Sequence, residues 1–118
     1  MNTQYQIITN TEELSRAVVE LSNKHAVGLD TETTELDPYL GRLRLIQLAT
    51  PDGVYLVDLN RFAEGDIKLS EALAPLRRLF TSPRPIKIAH NAKFDAKFIK
   101  YNLGVDVVGL FDTLLASQ

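Results

Sequence analysis

A chain of 118 residues, 45% hydrophobic and 24% charged, with no internal repeat or low-complexity run, is one ordinary globular domain with room for a core. The absence of cysteine excludes a disulfide framework, a thiolate metal site and cysteine catalysis. A formal net charge of −2 argues against non-specific adhesion to a polyanion, yet it suits a nuclease whose acidic site meets phosphate through cations.

Tyr5-Gln6-Ile7-Ile8 alternates polar and apolar and predicts a short first strand at an edge. Thr9 or Asn10 then caps a helix, since Thr9 to Glu12 and Asn10 to Glu13 both have capping-box spacing. Leu14, Ala17, Val18 and Leu21 give that helix one apolar stripe, and it is expected to end near Lys24-His25. Ala26 to Thr33 reads as an apolar strand. The Pro38 and Gly41 that follow mark a loop. Arg42 to Ala49 alternates, which places Arg and Gln side chains opposite Leu43, Leu45 and Leu48. Pro51-Asp52-Gly53 is a turn, and Val54 to Asp58 returns as the second arm of a hairpin.

Leu69, Leu73, Leu76 and Leu79 have helical spacing, and Pro75 splits that helix into two pieces or delays its start. Ser82-Pro83-Arg84-Pro85 is a stiff connector and Ile86 to His90 a further strand. Asn91 caps a helix running to about Asn102, with Gly104 placed to end it. Asp106 to Leu110 reads as a last strand, and Asp112 as the cap of a last helix. The whole is an α/β chain: a mixed sheet with helices on its faces and a meander at its centre. No apolar run approaches about twenty residues and no signal segment opens the chain, so no membrane partner is expected and a cytoplasmic location is the default.

The chemistry concentrates in two stretches. In Asp30-Thr31-Glu32-Thr33 the two acids lie two residues apart, so on a strand of period two they project to one face. Like charges there repel unless a cation neutralises them, and oxygen-only ligation suits a hard metal. His90-Asn91-Ala92-Lys93-Phe94-Asp95 supplies a third acid in the opening turn of a helix. In such a sheet ligands gather beyond the carboxyl ends of the parallel strands, and both stretches belong there.

These two stretches resemble the first and second motifs of the DEDD, or proofreading-type, 3′-5′ exonucleases. Arg42 to Ala49 and Phe111 to Ser117 are similar to the flanking segments of the ribonuclease D and family A DNA polymerase branches. The resemblance covers most of residues 26–118 and implies a ribonuclease H-like mixed five-stranded sheet flanked by helices. It implies two Mg²⁺ or Mn²⁺ ions, about 3.5–4 Å apart, held by Asp30, Glu32 and Asp95 as catalytic and metal-binding residues. The substrate it implies is a nucleic acid with a free 3′ end. By motif position Thr33 and Thr34 contact the terminal nucleotide, Leu36 packs beneath its base, and Asn91 and Phe94 shape the site.

The family also carries a third motif, a Tyr or His four residues before a fourth acid. Tyr101 does not supply it, because Val105 stands four residues on. Residues 1–118 therefore read as a single exonuclease-like domain incomplete at its C-terminus. Its catalysis is expected to need a C-terminal segment, a polymerase domain or a second chain that supplies the third motif, and alone the domain is weakly active or a binding and regulatory module. An unrelated phosphatase-like carboxylate site is the other class, but the chain has neither an Asp-x-Asp nucleophile nor a glycine-rich phosphate loop. His25 and His90 read as surface and strand-end residues, and Asp106 and Asp112 as turn and cap residues. Lys93, Lys97 and Lys100 form a solvated helix face with the spacing of a phosphate-contacting ridge.

Overall fold

The fold is given by a computed structural model that describes residues 4–34, 42–63 and 68–116. Six strands, β1 (Tyr5–Ile8), β2 (Ala26–Thr33), β3 (Leu43–Thr50), β4 (Gly53–Asp58), β5 (Ile86–Ala89) and β6 (Leu110–Asp112), form one sheet in the order β1-β4-β3-β2-β5-β6. The central β4-β3-β2 meander is antiparallel, whereas β1 joins β4, and β5 and β6 join β2, in parallel. The sheet has six described strands rather than five because β1 pairs at the edge beside β4. β6 lies at Leu110–Asp112 instead of Asp106 to Leu110, since the segment before it runs as a connector.

Helix α1 (Thr11–Ser22) follows Asn10, whose side chain accepts the Glu13 N–H at 2.9 Å; Glu13 reaches back to the Thr9 N–H at 3.1 Å. This is the reciprocal bonding that its capping-box spacing predicts. The helix stops at Ser22, short of Lys24-His25, with the Asn23 N–H turned onto Glu20 and Leu21 carbonyls. The short α2 (Leu59–Ala63) was not foreseen; Asp58 starts it by accepting the Asn60 N–H at 3.1 Å. The leucine-rich stretch does divide, into α3 (Leu69–Ala72) and α4 (Ala74–Thr81), with Pro75 in the first turn of α4. Helix α5 (Ala92–Leu103) ends at Gly104, which is left-handed with φ 74° and returns its N–H to the Lys100 carbonyl. The short α6 is Thr113–Ala116.

One core holds this together, and its strand residues come from one face of the sheet. Ile8, Val27, Leu29, Leu43, Ile46, Leu48, Val57 and Ala89 all point into it, where the buried residues of α1 to α5 meet them. The expectation of helices on both faces is not met among the described residues: Gly28, Asp30, Glu32, Gln47, Ile86 and Ile88 share the other face by register, and none joins the core. Leu45 is also on that outer face, opposite Glu32, and not with Leu43. The reason is a register shift at Glu32/Thr33, where Thr33 pairs with Leu43 and Glu32 with Leu45; Arg44 is the extra residue of a bulge that reverses the alternation.

Candidate active site

The carboxyl end of β2 carries the acids. Asp30 and Glu32 are exposed on the outer face, in register with Gln47 and Leu45, and the Asp30 carboxylate accepts the N–H of Thr31 at 3.0 Å. Thr31 projects to the core side, as period two requires. There its hydroxyl donates a short hydrogen bond to the Asp95 carboxylate in the first turn of α5. Asp95 is only 4% exposed. Burial pushes its carboxyl above the usual range, the charges of Asp30 and Asp112 push the same way, and the Thr31 hydroxyl works against them.

The turn that carries Asp95 is held from β6. Asp112 accepts the N–H groups of Asn91 and Ala92, each at 3.0 Å, and of Leu114 at 2.9 Å, so one carboxylate caps both α5 and α6. Burial opposes the Asp112 charge, but these backbone donors outweigh it and hold the carboxyl below its ordinary value. Asn91 does not cap α5 with its own side chain; it is left-handed, with φ 60° and ψ 54°, and the cap arrives from across the sheet. His90 sits beside it, its Nδ1 2.9 Å from the Thr113 hydroxyl. A groove of about 300 Å³ on the outer face is lined by Gly28, Asp30, Gln47, Ile88, His90 and Thr113, among others.

A larger cavity, about 640 Å³, lies at the opposite end of the sheet among Gln4, Glu20, Lys24, Asp52 and Tyr55. Its charged groups are already paired: Lys24 donates to Asp52 at 2.9 Å and the Tyr55 hydroxyl to Glu20. Unneutralised acid is found only at the β2 end of these two, so size does not select the site.

The structure treats the predicted site residues unequally. Asp30 and Glu32 are neighbours and Asp30 lies within electrostatic reach of Asp95, but Asp95 approaches from the other side of β2. Among the described residues no three His, Asp or Glu side chains stand together as a group able to hold a metal ion. Thr33 is half-buried on β2, and Thr34 ties its N–H and hydroxyl to Arg42 at 3.0 and 2.9 Å. Leu36 lies outside the described residues. Phe94 turns toward the core, its ring centroid 5.0 Å from that of Phe98, and Asn91 is exposed. Lys100 pairs with Asp106 at 3.1 Å, leaving Lys93 and Lys97 as the exposed rest of that helix face. Thr31 escaped sequence reasoning although its signal was present: a hydroxyl between two acids on a strand must face away from both.

The comparisons agree with this geometry. A family model described as 3′-5′ exonuclease, of the DNA polymerase A type, matches residues 5–118. The chain belongs to the 3′-5′ exonuclease family. This exonuclease domain is 36% identical over 112 residues to ribonuclease D of Gluconacetobacter diazotrophicus, covering 95% of the chain and 27% of the relative. It is 34% identical over 111 residues to the exosome complex exonuclease RRP6 of Saccharomyces cerevisiae, covering 94% of the chain and 14% of the relative. Among solved structures, Escherichia coli RNase D superposes with a TM-score of 0.78 at 26% identity, over 94% of the exonuclease domain and 28% of that chain. The domain thus spans about a quarter or less of the length of these relatives.

Proposed function

We propose that this domain hydrolyses the terminal phosphodiester at the free 3′ end of a nucleic acid with the help of divalent metal ions. The supporting observation is Asp95, a nearly fully buried carboxylate beside two others, with a neutral hydroxyl as its donor. A buried anion in such company is costly unless a cation joins it. The all-oxygen donor set of Asp30, Glu32 and Asp95 fits Mg²⁺ or Mn²⁺, and these three residues would hold two such ions. When bound, the ions supply Lewis-acid charge at the scissile phosphate. The protein's own part is positioning. Thr31 orients Asp95, Asp112 fixes the helix turn that carries it, and Thr33 and Thr34 lie where β2 leaves the site toward the incoming strand.

One observation favours a second reading, a weakly active or inactive nucleic-acid-binding or regulatory module: the described acids do not close a three-ligand group. Both readings meet if a segment bearing the family's third motif completes the site, supplied by further C-terminal chain, a polymerase domain or a second polypeptide. E. coli RNase D is described as an exoribonuclease, whereas another relative, 34% identical, is the DNA polymerase I of Aquifex aeolicus. Both nucleic acids therefore enter the test.

The test follows 3′-labelled single strands of RNA and DNA in Mg²⁺ and in Mn²⁺, with the 118-residue chain and with the chain extended to carry a third motif. The extended form is expected to release terminal nucleotides in an Asp30-dependent way, and the short form to be at least about 100-fold slower, the usual cost of losing one positioned acid–base group. A paired 3′ end should be a poorer substrate than a free single strand. An extended form with no Asp30-dependent turnover returns the domain to the binding reading.

A further inference from the structure

On the outer face one row of residues crosses all six strands: Tyr5, Val54, Ala49, Gly28, Ile88 and Phe111, each in register with the next. None of the six is charged and none joins the core. Tyr5 is 65%, Phe111 50% and Ile88 37% exposed. The strand beside Gly28 repeats the theme, with Ile86 and Ile88 turned outward and Lys87 buried. Parallel strands are normally covered on both faces, and contiguous exposed apolar surface marks an interaction site.

The shape of the row identifies the occupant. Its centre is almost without side chains, since Gly28 has none and the nearest atom to an added Cβ there is the Ala49 Cβ at 3.4 Å. Val54 and Ile88 stand on either side. With strands about 4.8 Å apart, these walls are roughly 14 Å apart across a two-strand floor, which matches the 10–12 Å diameter of an α-helix. A second flat sheet would leave this trough empty. One end of the trough meets Asp30, with Glu32 beyond it on the same face. A positively charged helix end complements that acid.

We propose that this trough docks one amphipathic α-helix from a partner polypeptide, with small and aliphatic residues seated over Gly28 and Ala49 and a basic end toward Asp30. The relatives provide ample chain of this kind: E. coli RNase D has nearly three-quarters of its length outside the matched segment. The proposal does not depend on nuclease activity, and its test uses neither nucleic acid nor metal.

The probe is a fluorescein-labelled synthetic helical peptide about 18 residues long, with Ala and Leu at i, i+3, i+4 and i+7 spacing and lysines at one end. Its binding to the 118-residue chain is read by fluorescence anisotropy. Ala49→Leu fills the trough yet adds apolar surface, so it separates fitted docking from mere stickiness. Both Ala49 and Ile88 face outward, and unchanged thermal melts verify that Ala49→Leu and Ile88→Ser remain folded. Docking requires Ala49→Leu to weaken binding by about tenfold or more, the effect of overpacking a fitted contact, and Ile88→Ser to weaken it as well. Absent binding, or equal or tighter binding by Ala49→Leu, overturns the proposal. So does sedimentation showing a dimer that Ile88→Ser dissociates, which would assign the face to a second copy of this chain.

Discussion

The two ends of the sheet handle negative charge in opposite ways. Where β3 turns into β4, each carboxylate in the cavity has a partner: Asp52 has Lys24, and Glu20 has the Tyr55 hydroxyl. At the carboxyl end of β2, Asp30 and Glu32 stand side by side in the open, with Asp95 and Asp112 near them and no cationic side chain bonded to any of the four among the described residues. The first end is built for the stability of the fold. The second carries charge that folding alone disfavours, as expected of a site kept for a ligand.

Asp30→Ala should break this contrast most strongly. Titration with Mn²⁺, followed by paramagnetic broadening of amide signals near β2 and α5, is expected to show affinity falling by more than about 100-fold, beyond the cost of losing even a supporting group around a metal. Broadening that persists at that site in the variant would remove Asp30 from the ligand set.

Next in size is Asp95→Asn. Because burial and two neighbouring carboxylates disfavour its charge, the amide should stabilise the metal-free fold by about 1 kcal/mol, a rise in Tm of roughly 4 °C, while weakening Mn²⁺ binding. A fall in Tm would mean that the Thr31 bond depends on the carboxylate and that the acid end is not strained.

Lys87, between the two ends, sharpens the comparison by pH. It is fully buried, donates to the Ser82 carbonyl at 2.6 Å and the Val108 carbonyl at 3.1 Å, and burial pushes its ammonium down from 10.5 to about 8. Between those values the unfolded chain binds more protons than the folded one, so stability should rise with pH above about 8. Tyr55, pushed up to about 12 by its bond to Glu20, reverses the slope only above its unfolded value of 10. Urea midpoints at pH 8 and pH 10 should therefore increase in the native chain and stay level in Lys87→Met. The smallest effect belongs to Lys24→Met: an exposed pair contributes little, and Tm should stay within about 1 °C of the native value.

Much of this was legible in the residues. The capping of α1 by Asn10 and Glu13, the division at Pro75, the stop at Gly104 and the cap at Asp112 are local bonding rules, and local rules act within a few residues. The two acidic motifs were legible for the same reason, since Asp30 and Glu32 share a face by strand period alone. The bulge at Arg44 was not, because an extra residue shows only when a partner strand is laid beside it, and it moved Leu45 to the opposite face.

What the sequence by itself determined is therefore the order of elements, the 3′-5′ exonuclease resemblance and the identity of the acids. Only the tertiary structure decided which side of the sheet each acid meets and which side is left bare. Alternation in Ile86-Lys87-Ile88-Ala89 says that the isoleucines share one face and Lys87 and Ala89 the other, but not which face is buried. The outcome is Lys87 inward, because the carbonyls of Ser82 and Val108, more than twenty residues apart in the chain, converge on its ammonium. Asp95 is buried behind β2, and not beside Asp30 and Glu32, for a like reason: α5 packs on the core face, where the Thr31 hydroxyl awaits it.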